Sequence, residues 1–256
     1  MHVEFVSSRS LREKRWETDG VLVVMPFTKP AEARRTAQLM ARRSGTDGLL
    51  LGVYDEGLHA PPAALASSPP AAAPAAPAAP STSSPLPIAA DGNVAADVAA
   101  AAGRAGFVAL VNAVFQSSVS PWFCYVAQDA FPGRQWLSIA LAGLEHKKGV
   151  LASFNDGKWH GRLASFGLAR REWAEKLYGG DFFFPGYGRH YADVELTVLA
   201  LQQQGLVYTP ESVLVEIDWE KDGKPVSRED RALYLSRVQQ RFDGRVDQPA
   251  LLERFR

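Results

Sequence analysis

Trp122-Phe-Cys-Tyr-Val-Ala-Gln-Asp129-Ala-Phe-Pro-Gly-Arg134 decides how this chain folds. Its first half, Trp122–Ala127, is apolar and rich in aromatic residues, which predicts a buried central strand. Pro132-Gly133 forces a turn just beyond, leaving Asp129 at the strand's carboxyl end. In open α/β sheets ligands bind along that edge, because the loops leaving it line a crevice that neither helix layer covers. A carboxylate there can hold a metal, and a metal would neutralise a phosphate. It can equally cap the helix expected to begin near Arg134, and the stretch alone leaves both roles open.

Upstream, residues 1–19 read as a polar N-terminal extension, and Gly20–Pro26 as a buried strand stopped by proline. Thr28-Lys29-Pro30 opens a helix running to about Ser44, with Pro preset for the first turn and Gly45 ending it. Gly48–Tyr54 is a second apolar strand that finishes in Asp55-Glu56-Gly57. Strand, helix and strand make a βαβ unit with parallel strands and a right-handed crossover, so Asp55 is expected at the same edge as Asp129. From Ala60 to Pro87 there is no charged residue and nine of the 17 prolines occur. Such a composition predicts a disordered insertion at about residues 58–90, serving either as a lid over the ligand edge or as a tolerated surface expansion.

Asp91–Ser118 is Ala-rich with helical spacing, and Asn112 interrupts its apolar side. That Asn either bonds structurally or faces the ligand. A helix over Gln135–Glu145 follows the central strand, then a short strand at Val150–Phe154, the turn-rich loop Asn155–Gly161, another strand at Arg162–Leu168 and a short helix from Arg171 to Tyr178. An aromatic, Gly-containing loop, Asp181–Tyr191, feeds the helix Ala192–Gln202, whose first turn carries Asp193 and Glu195. Acids there suit the helix dipole whether or not they do chemistry. Ser212–Trp219 reads as a strand near the sheet edge, Ser227–Asp230 as the capped start of a last helix to about Phe242, and 243–256 as a tail. The fold class is therefore α/β: a mostly parallel, Rossmann-like sheet flanked by helices, in a single domain over 20–242.

Composition narrows the partners. Lys+Arg and Asp+Glu are both 28, so no net field draws the protein to nucleic acid or an anionic membrane. The single cysteine, Cys124, falls inside the central strand and argues for a reducing, cytoplasmic setting without disulfides or a Cys-based metal site. No run has the length and apolarity of a signal peptide core or a membrane span. Phosphate loops, Gly-rich dinucleotide turns, nucleophile elbows and His-Glu zinc motifs are all missing. What remains is a set of acids at strand ends or helix starts, Asp55, Asp129, Asp193 and Asp218, a pattern suited to metal-assisted chemistry on a nucleoside diphosphate with one carboxylate base.

In this order the elements resemble the inverting, nucleotide-sugar-dependent glycosyltransferases of the GT-A fold, family-2-like type. The resemblance runs from about Gly20 to Trp219. Met25-Pro26-Phe27-Thr28 is similar to the end of that family's opening strand, and Val53-Tyr54-Asp55-Glu56-Gly57 to its D-D-G-S turn. Asn112 matches the Asn before the metal motif, Ala127-Gln128-Asp129 falls at the D-x-D, and Tyr191-Ala192-Asp193-Val194-Glu195-Leu196 resembles the E-D-x-D-L helix start. Two acids of the pattern are replaced, by Ala127 and Ala192.

The resemblance implies that Pro26, Thr28, Asp55, Asn112, Gln128 and Asp129 bind the donor, that Asp129 with Asp218 holds Mg²⁺ or Mn²⁺, and that Asp193 is the general base. Composition alone offers Trp159, Tyr187, His190 and Tyr191 as ring or polar contacts for the acceptor. The expected reaction is transfer of a sugar from a nucleoside diphosphate to a hydroxyl of a glycan or other acceptor, with inversion, as in hexosyltransferases. Two alternatives stay open: a non-catalytic binding or scaffold protein that kept the fold, and a nucleotidyltransferase, which would need a basic Gly-rich loop after the first strand.

Overall fold

A computed structural model of the protein describes residues 1–56, 106–217 and 226–255. The insertion expected at 58–90, the first part of the helix expected from Asp91, and Asp218 lie outside the described residues. Among the described residues ten strands form one sheet of eight and a small pair. They are β1 (His2–Ser7), β2 (Trp16–Glu17), β3 (Val21–Phe27), β4 (Gly48–Tyr54), β5 (Ser118–Val119), β6 (Trp122–Tyr125), β7 (Ala130–Pro132), β8 (Leu151–Asn155), β9 (Gly167–Arg170) and β10 (Leu206–Glu216). The large sheet has the order β1-β4-β3-β6-β9-β8-β10-β7. Strands β1, β4, β3 and β6 run parallel, β9 runs against both of its neighbours, β8 and β10 are parallel, and β7 returns antiparallel along β10. All the carboxyl ends of β3, β4, β6, β8 and β10 therefore meet at one edge.

Alternation along the strands divides the core into two layers. Leu22, Val24, Phe123 and Tyr125 face α2 (Phe107–Gln116), α5 (Ala192–Gln202) and the aromatic loop. Val23, Met25 and Cys124 face the other way, toward Ala33, Ala37 and Met40 of α1 (Pro30–Arg43) and Trp136, Leu137 and Ala140 of α3 (Trp136–Lys147). Strands covered on both sides read as continuous apolar runs, which is why β3 and β4 stand out in the sequence. Among the described residues no helix is long and apolar enough to cross a membrane.

Four elements differ from expectation. The N-terminal lead-in is part of the sheet: His2–Ser7 pairs with Leu49–Tyr54 of β4, and the Phe5 ring lies over Gly52, where a Cβ would come within 2.5 Å of it. The strand expected at Arg162–Leu168 begins only at Gly167, because the segment before it hydrogen-bonds elsewhere. Tyr125 Oη donates to the Ala164 carbonyl, and the Ala164 amide donates to Thr197 Oγ1 at 3.1 Å. The strand expected from Ser212 starts at Leu206 and runs through Pro210, tolerated because the register shifts there as β10 leaves β8 for β7. Finally, the tail is built into the core. Phe242, Val246 and Leu251 are buried beyond α6 (Arg228–Gln239), in a helical turn at Arg241–Gly244 and in α7 (Pro249–Glu253). The short helix after β9, α4, spans Arg171–Ala174.

The C-terminal layer is fastened by a buried charge. Glu195, fully buried in the first turn of α5, accepts from Arg237 of α6 at 2.7 Å and 3.2 Å, from Tyr178 Oη at 2.9 Å and from Tyr187 Oη at 2.9 Å. Removing one partner of a buried ion pair leaves the other charge stranded, which is the costly case. Arg237→Met should destabilise the protein to urea by about 3–5 kcal/mol. Glu195→Gln added to it, which keeps an acceptor for both tyrosines, should recover most of the loss; equal instability of the double variant would contradict this account.

Candidate functional site

The common carboxyl edge gathers the acids. Asp129 follows β6 by four residues and leads straight into β7, whose Ala130 pairs with Glu216 at the end of β10. The Asp129 carbonyl accepts from the Ile217 amide at 3.1 Å, so the backbones carrying Asp129 and Glu216 are bonded neighbours. Helix capping is excluded as the role of Asp129. The helix after it starts at Trp136, behind the left-handed Gln135, and has no side-chain cap. Asp55 follows β4 two strands away, almost completely buried, with its amide on the Phe27 carbonyl at 2.9 Å.

Asp193 reaches this edge through a relay of backbone contacts. Its carbonyl accepts from Thr197 Oγ1 at 2.7 Å; that hydroxyl also accepts the Ala164 amide, and the Ala164 carbonyl holds the hydroxyl at the end of β6, Tyr125. The Asp193 side chain is partly exposed and accepts the Val194 amide at 3.0 Å. Desolvation pushes its carboxyl up to about 7 despite the amide contacts, and the negative charge of Glu216 adds to the rise. Burial pushes the Tyr125 phenol well up, and the Asp193 charge contributes there too. Both effects show Asp193 within electrostatic reach of the ends of β6 and β10.

Two expected donor contacts have taken structural work. Gln128 Oε1 accepts the amides of Thr28 at 2.8 Å and Lys29 at 3.1 Å, binding the loop after β6 to the entry of α1 and so to Pro26 and Thr28. Asn112 spends both ends of its amide on Phe183, donating to its carbonyl at 3.0 Å and accepting its amide at 2.9 Å. Asn112 is thus a clamp for the aromatic loop.

The acceptor expectations divide. Tyr187 is buried with its hydroxyl on Glu195, so its ring is not offered to a sugar. Tyr191, at φ 67° before α5, stacks on Tyr234 with ring centres 4.7 Å apart and serves the core. His190 is half-exposed beside Asp230, and burial followed by the Arg189 charge lowers its pKa. Its loop is shaped by the Asp230 carboxylate, which accepts the amides of Gly188, Arg189 and His190 at 2.8, 3.1 and 2.8 Å. Trp159 remains open to solvent at 39% exposure.

Three features of the edge escaped the sequence reading. A cleft of about 260 Å³ opens where β1, β3 and β4 end, walled by Phe5, Ser7, Phe27, Pro30, Arg34 and Tyr54. Asp156, buried after β8, accepts the amides of Lys158 and Trp159 at 2.9 and 2.8 Å and the Ser165 hydroxyl at 2.6 Å, which fixes the loop. From that loop Lys158 reaches Glu216, Nζ to Oε2 at 2.9 Å. The Asx turn was visible as Asn155-Asp156-Gly157, but nothing in the sequence tied Lys158 to a residue 58 positions on.

Of the two acids expected to hold a metal, Asp129 lies at this edge and Asp218 falls outside the described residues. Ala127 stands where the first acid of the motif would be and packs against the apolar layer, while Glu216 is engaged by an ammonium. Among the described residues no group of three His, Cys, Asp or Glu side chains is placed to hold a metal.

No protein-family model matches the chain, and no curated protein matches its sequence. Solved structures do. S. aureus TarS aligns with a TM-score of 0.52 at 10% identity, over 92% of this chain and 42% of that one. The mannosyltransferase PcManGT from Pyrobaculum calidifontis, solved with GDP-Man and Mn²⁺, aligns with a TM-score of 0.48 at 17% identity, over 91% of this chain and 66% of that one. The chain thus spans less than two thirds of each structure's length. At such identities the likeness speaks for architecture, and the architecture is a single α/β domain of the GT-A-like type.

Proposed function

We propose that the protein is an inverting glycosyltransferase that moves a sugar from a nucleoside diphosphate to a hydroxyl acceptor. The observation that carries this reading is Asp193, a carboxylate at the ligand edge whose proton affinity is raised to about 7, within the field of Glu216. A general base works best when its pKa lies near the operating pH, because it is then both ionised and basic enough to accept a proton. The GT-A-like fold supports the reading, since the strands that lead into Asp55, Asp129 and Glu216 run toward one edge.

In this reading the aromatic cleft beside Asp55 takes the nucleobase, ring against ring, and Asp55 accepts from its edge. The diphosphate lies toward Asp129. Pro26 and Thr28 line the path between them. Trp159 and His190 face the acceptor. The acceptor oxygen attacks the anomeric carbon from the side opposite the diphosphate, its proton passes to an Asp193 oxygen, and the carbon–oxygen bond to phosphate breaks with its electron pair leaving on phosphate. Asp129 would take part in holding Mg²⁺ or Mn²⁺, whose charge would offset that of the diphosphate.

The rival is a non-catalytic relative that binds without turnover, and Ala127 and Ala192 are the residues that favour it. Incubation with a panel of UDP-, GDP- and dTDP-sugars and mixed sugar acceptors, read by release of nucleoside diphosphate, separates the two. Asp193→Asn should lower kcat by about 10²–10⁴-fold while leaving the affinity for the nucleoside diphosphate within about twofold. Lost nucleotide affinity instead would make Asp193 structural, and no turnover by the native protein would favour the binding protein.

Two pH effects follow from the same carboxyl. The native kcat/KM should rise through a limb near pH 7, and the limb should vanish in Asp193→Asn. For stability, the folded carboxyl holds its proton more tightly than the unfolded one at 3.8. Its contribution is fully present below pH 3.8 and is lost as the pH climbs toward 7 and beyond. Asp193→Asn should therefore melt higher than native at pH 8, by about 2–4 °C per kcal/mol relieved, and with little difference at pH 3.5. An unchanged difference between the two pH values would show that Asp193 is not desolvated.

A further inference from the structure

A second cleft, of about 550 Å³, lies at the opposite edge of the sheet, where β6 and β8 begin and β9 ends. Its floor is apolar, made by Val150, Trp173, Leu177 and Leu199. Helix α5 runs from one site to the other. Asp193 is in its first turn, and Gln203, just past its last turn, lines this cleft, about 15 Å away along the helix axis. The volume is that of a small-molecule site.

Around that floor stand Arg170, Lys176 and Arg245, against a single acid, Glu172. Arg170 closes β9. Its Nε donates to the Gly149 carbonyl at 2.8 Å and its guanidinium lies 4.5 Å from the centre of the Trp122 ring, so the group is held in place while its two terminal nitrogens have no acceptor among the described residues. Arg245 follows a turn in which Arg241, Phe242 and Asp243 are all left-handed, at φ 54°, 52° and 59°. That conformation is costly for residues with a Cβ and persists where its surroundings enforce it, here through the buried Phe242 ring and the Arg237–Asp243 ion pair. The turn sets the Arg245 guanidinium over Tyr178, 5.4 Å from the ring centre. Gln203 spends its oxygen on the Trp173 indole N–H at 2.9 Å, which leaves its NH₂ end to donate. Glu175, the acid that follows α4, is turned to Arg171 at 3.4 Å. Among the described residues none of the three cations of the cleft is within ion-pair distance of a carboxylate.

The cleft is thus lined by donors and carries two more positive than negative charges, around a surface that favours an apolar face. Arginine forks match phosphate oxygens in pairs, and a phosphomonoester brings about two negative charges near neutral pH. A nucleic acid would need a cationic track longer than these three groups, and the chain as a whole has no net charge to supply one. We propose that this cleft binds a phosphorylated small molecule, its phosphate among Arg170, Lys176 and Arg245 and its sugar-sized organic body over Val150, Leu177 and Leu199. No residue of the acidic rim takes part, so the proposal is independent of the glycosyltransferase reading.

Calorimetry with glucose 1-phosphate, glucose 6-phosphate, glycerol 3-phosphate and 3-phosphoglycerate, with glucose and inorganic phosphate as controls, tests the proposal. At least one ester should bind with a Kd below about 1 mM and about tenfold more tightly than either control. Lys176→Gln with Arg245→Gln, both at exposed positions, should weaken that ester by about 10–100-fold without changing the melting temperature. In protein carrying fluorotryptophan, the ester should shift the fluorine resonance of Trp173, assigned with Trp173→Phe, and leave that of Trp159 beside the acidic rim unmoved. Inorganic phosphate binding as tightly as every ester would mark an adventitious anion only and overturn the proposal. It would also fall if no ester bound, if the double variant kept full affinity, or if Trp159 moved and Trp173 did not. None of these outcomes touches turnover at the acidic rim, so the two readings fail separately.

Discussion

A carboxylate removed from water has to be met on all sides, and Glu195 is that group here. Two nitrogens of Arg237 and two tyrosine hydroxyls converge on it inside a layer that is otherwise aliphatic and aromatic. Through these bonds one side chain ties four segments together: the start of α5, the stretch after α4 at Tyr178, the aromatic loop and α6. Arg237 also lies over the Phe184 ring at 3.8 Å and bonds Asp243, so the turn after α6 is drawn into the same knot. Burial on this scale holds only because the pairing is complete, and completeness restricts where α5 can sit. The position of the helix that bears Asp193 is fixed by its neighbour two residues on.

Asp193 and Glu195 therefore share a helical turn and have opposite fates. Glu195 points into the core and is neutralised. Asp193 accepts the Val194 amide but, among the described residues, has no cation on it, and desolvation raises its proton affinity despite that bond. Two carboxyls of one turn thus have different surroundings, because one is met by a guanidinium and two hydroxyls and the other is not. The same split recurs at the rim's other end, where buried Asp156 spends its oxygens on the loop and leaves Lys158 as the group that extends from it.

How much of this was legible in the sequence depended on whether local pattern or distant partners decided the outcome. Gly48–Tyr54 and Ala192–Gln202 fold with the limits that their apolar runs and flanking Gly or Tyr suggest, because both are covered on most sides and their pattern is unambiguous. The alternating His-Val-Glu-Phe-Val at the start was short enough to pass for a lead-in, and only the bare backbone of Gly52 makes room for Phe5. Arg162–Phe166 looked like a strand by composition but lost its partners to Tyr125 and Thr197, residues no local pattern connects to it. Asn112 stands out by its match to the family pattern and Tyr187 by composition, and both carry polar groups. Those are spent inward, on Phe183 and Glu195, which a single sequence does not disclose.

The departure of β10 from β8 toward β7 has a further consequence. A sheet of eight strands ends on that side in three residues only, closed by Pro132, and Arg43 reaches across from α1 to the Pro132 carbonyl at 2.7 Å. An incoming chain would find almost no ladder to extend, since proline offers no amide and its carbonyl is already taken. That border of the sheet is thereby protected from templated growth, and the flank it closes is not adhesive.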